Sequence, residues 1–330
     1  MANYIVKRII LAFFTTAAIS VLSFVVIQLP KGDYVDWYVE DLMQKGDHIS
    51  LAQAQNIREY YGLDKPMILQ YGMWMWRMSS LDFGYGFEGQ KPVEEQIAEK
   101  LPTTIALVAF TTVITWLFAI PVGIYTAMRQ HTVEDYTMTF LGFIGLAVPD
   151  FLLGLLMMYM FFKYFDFSVG GLFSGQYEYA PWSWAKFVDL CQHKIIPAVV
   201  LGTAGTAGLI RTMRNNLLDE LAKPYVLTAR SKGLRGWRVI VKYPVRVALN
   251  PFISGIGGVL PSLVSGSVIV SFVLSLPTLG PLLLNAIQRQ DMYLAGTIIL
   301  MLGALTVLGF LISDLMLVLV DPRIKFEGKE

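Results

Sequence analysis

Three glycines, Gly84, Gly86 and Gly89, are spaced as G-x-G-x-x-G. This pattern cradles a pyrophosphate when it joins a strand to the N-terminus of a helix. No apolar strand precedes it here, so a glycine-rich turn is the favoured interpretation. The sequence also lacks the P-loop, H-E-x-x-H and G-x-S-x-G motifs. We therefore expect no catalytic residue, and no cofactor, in this chain.

Metal and redox chemistry have few candidate residues. The histidines, His48, His131 and His193, are widely separated, and Cys191 is the single cysteine. One cysteine cannot form an internal disulfide, and such scattered histidines do not have the spacing of a metal site. We predict no metal site.

Asp150 is the ionisable residue with the clearest functional implication. It interrupts an apolar run over 137–162 and follows Pro149. A carboxylate inside a membrane span is costly and marks a pathway or an ion pair. Because Pro149 bends a helix, the carboxylate of Asp150 would face a cavity rather than lipid. A translocation pathway and a structural ion pair both remain open.

The elements that position these residues are membrane spans. Of the 330 residues, 55% are hydrophobic and 15% are charged, whereas soluble domains carry about 25% charged residues. A span needs roughly 20 apolar residues. We predict an all-α polytopic membrane protein with about six transmembrane helices, lying within 9–29, 102–128, 137–162, 195–210, 247–274 and 292–320. Pro277, Gly280 and Pro281 indicate a non-helical or re-entrant segment after the fifth span.

The distribution of lysine and arginine predicts the orientation. Basic residues concentrate in the segments that would be cytoplasmic if both termini lie inside. The predicted parts are a first transmembrane helix (1–29), an extracytoplasmic helical segment that we call the cap (30–101), a core permease domain with five transmembrane helices (102–320) and a cytoplasmic tail (321–330). We expect the first helix to be retained rather than cleaved as a signal peptide. The net charge of +1 gives no indication of a nucleic-acid partner.

A cytoplasmic loop, 211–248, is the most informative stretch. It carries nine of the twenty-six basic residues. Within it, Pro224 can begin a short helix and Gly233 can end it. Tyr225, Thr228, Ala229 and Lys232 would then fall on one face. Such a short helix must dock on something. Anionic lipid and a protein groove both remain possible, and the small Ala229 and Gly233 slightly favour the groove.

The run Pro224-Tyr225-Val226-Leu227-Thr228-Ala229-Arg230-Ser231-Lys232-Gly233-Leu234 resembles the "EAA" coupling loop of ATP-binding-cassette importer permeases. The run resembles the form of this loop found in the B-type permease subunit of the dipeptide/oligopeptide/nickel family. Further matching motifs are Tyr61-Gly62-Leu63-Asp64-Lys65-Pro66, Gln70-Tyr71, Leu81-Asp82-Phe83-Gly84, Pro92-Val93, Leu101-Pro102-Thr103 and Asp321-Pro322-Arg323-Ile324. The sequence departs from the family pattern at Pro224, Ser231, Ser271 and the 277–280 turn.

The resemblance implies a type I importer fold in the bacterial cytoplasmic (inner) membrane. It implies as partners a second homologous permease subunit, two cytoplasmic ATPase subunits that bind ATP and Mg, and an extracytoplasmic solute-binding protein. By this resemblance the ATPase cleft holds Tyr225, Thr228, Ala229, Arg230, Lys232, Gly233 and Leu234. We assign Pro149, Asp150 and Ser271 to the translocation pathway. The expected solute is a short peptide or an oligosaccharide. The alternative is a secondary, ion-coupled transporter, which would need inverted repeats that are not evident here.

Overall fold

The computed structural model describes residues 2–46, 50–87, 91–165, 170–234 and 236–320. In these ranges the chain is helical, and its only β pairing is an isolated bridge between Tyr85 and Pro92. The all-α prediction is confirmed. The helices are α1 (Ala2–Gln28), α2 (Tyr34–Gln44), α3 (Leu51–Tyr61), α4 (Met67–Ser79), α5 (Val93–Met128), α6 (Val133–Ala147), α7 (Asp150–Phe165), α8 (Trp184–Leu221), α9 (Pro224–Ser231), α10 (Gly236–Lys242), α11 (Pro244–Ala248), α12 (Asn250–Val273), α13 (Leu279–Gln288) and α14 (Met292–Val320).

Five of the described helices are long and apolar enough to cross a membrane, namely Val6–Gln28, Val93–Met128, Trp184–Leu221, Asn250–Val273 and Met292–Leu317. The pair α6 and α7 makes a sixth candidate. On α1, large apolar side chains such as Phe13, Phe14 and Leu22 are mostly exposed, which suits contact with hydrocarbon rather than water. The prediction of about six transmembrane helices is confirmed.

The third predicted span is not one continuous helix. Helices α6 and α7 meet at a bend of 98°. Val148, the last residue before Pro149, has an extended backbone with φ −82° and ψ 122°. The proline ring disfavours the helical region for the residue before it, and proline has no N–H to continue the hydrogen-bond ladder. The bend that Pro149 predicted is therefore a full break.

The segment after α12 contains more helix than predicted. Helix α12 ends at Val273, before Pro277. A ten-residue helix, α13, then begins at Leu279. Pro281 is the third residue of α13. In the first turn of a helix the missing N–H of proline breaks no hydrogen bond, so Pro281 is compatible with this helix. The non-helical alternative was therefore wrong for 279–288, whereas the re-entrant alternative stays a prediction.

The chain forms two compact units, divided within α5 and α14. The described residues of the first unit lie within 104–277 and 306–320. Its central element is α8, which contacts α6, α7, α11 and α12. In the same unit α12 and α14 cross closely at glycines: a Cβ added to Gly309 would lie 2.8 Å from the Cα of Gly257. Small residues at such crossings let membrane helices approach.

The second unit contains Ala2–Thr103 and Thr278–Leu305. It places residues 278–305 with the N-terminal third, whereas the sequence analysis assigned them to the core permease domain. Side-chain packing explains this grouping. The fully buried Trp74 leaves no room for a side chain at Gly296, where an added Cβ would lie 2.8 Å from the indole ring. The Gln28 amide donates to Gln70 at 3.1 Å, so α1 and α4 also belong together.

Candidate functional site

Helix α9 begins and ends where its sequence predicts. Pro224 is its first residue, where the missing proline N–H costs no hydrogen bond. Lys232 ends the helix, and Gly233 follows with φ +73°. This left-handed conformation strains residues that have a Cβ, so glycine favours the turn.

One side of α9 packs on its own chain. Val226 and Ala229 are buried in a cluster with Val239 of α10, beside the partly buried Tyr225. The Tyr225 hydroxyl donates to the carboxylate of Glu220 at the end of α8. Helix α9 alone would be marginal in water, and these contacts hold it in place.

The next layer of packing connects α10 and α11 to the spans. Ile240 of α10 and Val245 of α11 are buried with Met213 and Leu217 of α8. The same cluster includes Ala119 of α5. Close-packed interiors transmit displacement because they have few voids to absorb it. A force on α9 would therefore be carried by side-chain contacts into α8 and α5.

The other side of α9 and the helix that follows are exposed, and we call their exposed residues the α9 surface. Its exposed apolar side chains include Leu227 at 64% exposure and Trp237 at 60%. It contains Leu227, Thr228, Arg230, Lys232, Leu234, Trp237 and Arg238, all exposed. Apolar residues rimmed by cations are typical of a protein-binding surface with an acidic or polar partner.

The seven residues that the family resemblance assigned to an ATPase cleft differ in their exposure. Thr228, Arg230, Lys232, Gly233 and Leu234 are exposed, whereas Tyr225 is half-buried. Ala229 is only 7% exposed and packs inward. The single face predicted from helical spacing is therefore divided between the protein interior and the α9 surface. Arg235 and the predicted tail, 321–330, lie outside the described residues.

The three residues assigned to a translocation pathway have different surroundings. Pro149 is exposed at the bend, and Asp150, the first residue of α7, is half-buried. Within the described ranges Asp150 has no ion-pair or hydrogen-bond partner. Ser271 is fully buried in α12, and its hydroxyl has no hydrogen-bond partner among the described residues. The structure therefore does not bring Ser271 to a surface.

An apolar groove of about 370 Å³ lies between α5, α6 and α8. Its walls include small residues, among them Gly142, Gly145, Gly202 and Ala207. Small side chains of this kind let a further helix approach closely within a membrane.

An ion pair between α6 and α8, buried on its aspartate side, was not predicted from the sequence. Arg214 donates to both oxygens of Asp135, at 2.8 and 2.7 Å. Asp135 is buried and also accepts from the backbone N–H of His131 at 3.1 Å. The sequence marks each residue as a charge near the end of an apolar run, Asp135 just before 137–162 and Arg214 just after 195–210, but it does not pair them.

A second unpredicted group, Asp291, joins separate segments of the second unit. It precedes α14 and accepts from the backbone N–H of Phe87 at 2.7 Å and of Leu294 at 3.0 Å. Burial raises the pKa of this carboxyl to about 6, although the two backbone donors act in the opposite direction. Asp291 thus fixes the loop around Phe87 to the start of α14.

This raised pKa predicts that stability falls as pH rises. Between about pH 4 and pH 6 the folded state retains a proton on Asp291 that the unfolded chain has released. Ionising this buried carboxyl above pH 6 therefore lowers the free energy of unfolding by up to roughly 3 kcal/mol. We expect the free energy of unfolding of the wild type, relative to Asp291→Asn, to decrease from pH 4 to pH 7. Thermal unfolding of the two proteins in detergent, followed by tryptophan fluorescence, measures this difference. A difference that is flat with pH would contradict the prediction.

The glycine pattern forms a turn where it is described. Gly84 has φ +73°, and a Cβ there would lie 3.1 Å from the Tyr293 ring. No strand leads into this turn within the described residues, so its geometry is not that of a dinucleotide site. Gly89 lies outside the described residues, as does His48. Among the described residues no three His, Cys, Asp or Glu side chains are grouped to hold a metal ion.

Comparison with known proteins places this chain in a family. Residues 119–326 match the family model described as "Binding-protein-dependent transport system inner membrane component". Residues 1–108 match the corresponding N-terminal model of transport-system membrane components. Together the two matches span nearly the whole sequence.

Curated relatives align over their full length. The oligopeptide transport system permease protein AppB of Bacillus subtilis is 35% identical over 99% of this chain and 100% of its own. The peptidoglycan transport system permease protein YejB of Agrobacterium fabrum is 30% identical over 100% of both. The dipeptide transport system permease protein DppB of Escherichia coli is 28% identical over 98% of this chain and 99% of its own. The chain, a multi-pass membrane protein, therefore belongs to the family of binding-protein-dependent transport system inner membrane components.

Proposed function

We propose that this chain is the permease subunit of an ATP-driven importer of short peptides in a bacterial inner membrane. A second homologous permease completes the transmembrane pathway, and an extracytoplasmic binding protein delivers the solute. Two cytoplasmic ATPase subunits bind ATP and Mg and hydrolyse the nucleotide. This chain has no catalytic site of its own, and it converts motion of the ATPases into movement of its spans.

The observation that carries the proposal is the two-sided packing of α9. Its inner residues, Val226 and Ala229, are held by α10, while Leu227 and Arg230 are exposed. Exposed apolar and cationic side chains would suit anionic lipid as well as a protein groove. The layer packed beneath α9 is what favours a docked helix, because it connects α9 through α10 to α8. This arrangement supports the assignment of α9 as the coupling helix that docks in an ATPase cleft.

The packing also supports a mechanism. ATP closes the ATPase pair and draws the two coupling helices together. Displacement of α9 passes through Val239 and Ile240 of α10 to Met213 and Leu217 of α8. Because packed cores have a few discrete arrangements rather than a continuous range, the spans switch between an inward-open and an outward-open state. Hydrolysis then resets the transporter.

The cap supplies the surface for the binding protein in this proposal. Between Lys31 and Leu101 it has twelve acidic and seven basic residues. This excess of negative charge favours a partner surface with positive charge, since complementary potentials accelerate and orient docking. The proposal places the cap outside the membrane, in agreement with the distribution of basic residues.

The substrate class rests on two arguments. The relatives named above include oligopeptide and dipeptide permeases, which favours a peptide over an oligosaccharide. An oligosaccharide would need aromatic rings available to stack on its sugars, and two of the rings between α7 and α8 already contact a charged side chain. Trp182 and Phe173 enclose the Lys186 ammonium, whose Nζ lies 5.6 and 4.7 Å from their ring centroids. These two rings support the outer loop through cation–π contacts.

Reconstitution tests the function. The tagged chain is expressed in its native host, purified with the subunits bound to it, and incorporated into liposomes with the binding protein. We expect a P-loop ATPase to co-purify and labelled tripeptide to accumulate only with ATP. Uptake that continues without any ATPase subunit, driven by an ion gradient, would instead identify a secondary transporter.

A further inference from the structure

A polar cleft within the second unit has the features of a ligand site. Its volume is about 530 Å³, within the range of about 300–1,000 Å³ common for small-molecule sites. Four tyrosines, one arginine and one aspartate form its walls. The lining residues are Tyr60, Tyr61, Arg77, Asp82, Gly84, Tyr85 and Tyr293.

The two charged groups of the cleft do not neutralise each other. Arg77 and Asp82 line the same space, yet no ion pair joins them. The Arg77 guanidinium lies 5.5 Å from the centroid of the Tyr293 ring, and its N–H groups have no acceptor among the described residues. Five donors in a rigid fork are therefore available for a carboxylate.

Asp82 is held in a fixed orientation. One of its carboxylate oxygens, Oδ1, accepts from the backbone N–H of Gly84 at 3.0 Å. Gly84 itself is fixed by its left-handed turn and by the adjacent Tyr293 ring. The second carboxylate oxygen has no partner within the described ranges. A fixed anion and an available cation thus line one cleft.

The tyrosines complete the site. The rings of Tyr60 and Tyr61 meet edge to face, with their centroids 5.0 Å apart. Tyr60 and Tyr85 are exposed side chains. Tyrosine offers apolar area and a hydroxyl at low entropic cost, so it contacts varied side chains and hydrogen-bonds to a peptide backbone.

We infer that this cleft binds a short peptide in its zwitterionic form, with Arg77 holding the terminal carboxylate and Asp82 the terminal ammonium. Charges at the two ends fix the peptide, whereas the tyrosines tolerate many side chains between them. The inference rests on the proposed function, because it assumes that peptides are the solute. It adds a binding site for the peptide on the permease itself, apart from the binding protein.

The test uses the whole complex in nanodiscs without the binding protein. Binding of trialanine, N-acetyl-trialanine, trialanine amide and neutral maltotriose is measured by saturation-transfer NMR. We expect trialanine to bind at least about tenfold more tightly than either blocked peptide. Arg77→Gln should remove the preference over the amide, and Asp82→Asn, which keeps the acceptor for Gly84, should remove the preference over the acetylated peptide.

Matched controls come from charges elsewhere in the cap. Lys45→Gln and Asp41→Asn change an ion pair, 2.6 Å between Nζ and Oδ2, that does not line this cleft. These variants should bind trialanine like the wild type. Absent binding, equal binding of all four probes, or equal losses in the control variants would overturn the inference. ATP-driven tripeptide uptake with the binding protein, measured on the same preparation, shows whether the proposed function fails as well.

Discussion

Replacing Leu227 by aspartate is expected to abolish ATP-driven uptake while leaving the fold of the chain intact. Leu227 is 64% exposed, so the substitution breaks no internal packing. In an ATPase cleft the same position becomes buried, and an unpaired carboxylate there would cost about 2 kcal/mol or more. That corresponds to a roughly 30-fold weaker association of the ATPase.

Two measurements separate docking from folding in this variant. ATPase subunits retained after purification report docking, and the melting temperature of the tagged chain reports folding. Leu51→Asp is the matched control, because Leu51 is also exposed but belongs to the cap. The account predicts ATPase loss in Leu227→Asp alone. Normal retention and normal uptake in Leu227→Asp would be incompatible with α9 as the coupling helix.

The second large effect is expected at the partly buried ion pair between Asp135 of α6 and Arg214 of α8. Asp135→Ala leaves the Arg214 guanidinium without the carboxylate that accepts two of its hydrogen bonds. Breaking this partly buried pair from one side costs about 2–3 kcal/mol, which lowers the melting temperature by roughly 3–4 °C for a chain of this size. Thermal unfolding in detergent measures the loss.

A double-mutant cycle identifies the cause of that loss. If the pair is responsible, the double variant Asp135→Ala with Arg214→Ala should be clearly less destabilised than the sum of the two single variants. Glu134→Ala is the neighbouring control, because Glu134 is exposed one position away. Strictly additive single effects would show that the two side chains act independently.

Local signals in the sequence predicted the ends of elements well. Pro224 and Gly233 delimit α9 because each acts through its own backbone: one lacks an N–H and the other tolerates positive φ. The apolar runs likewise predicted the spans, because a membrane imposes a length on every helix. Pro149 predicted a bend, but the 98° angle depends on what α6 and α7 pack against.

Features that depend on tertiary contacts could not be predicted in the same way. Helical spacing placed Ala229 beside Thr228, yet only packing against Val239 determines that Ala229 turns inward. The resemblance suggested Ser271 for the pathway, and the structure buries it completely. Asp135 and Arg214 are 79 residues apart in the sequence, so no local pattern pairs them.

The same limitation applies to the second unit. Asp291 and Phe87 are separated by 204 residues, and their hydrogen bond explains why residues 278–305 group with the cap. Arg77 and Asp82 are close in sequence, but the cleft between them also requires Tyr293. A single sequence contains the charges of such a site without the fold that brings them together.

The most direct test of the central claim is a cross-link from α9. Cys191 is the only cysteine in the chain, so Leu227→Cys in a Cys191→Ser background carries a single photoreactive label in the reconstituted complex. The account predicts a cross-link to an ATPase subunit, with a yield that changes between nucleotide-free and ATP-bound states. A label that reacts only with lipid, in every nucleotide state, would contradict it.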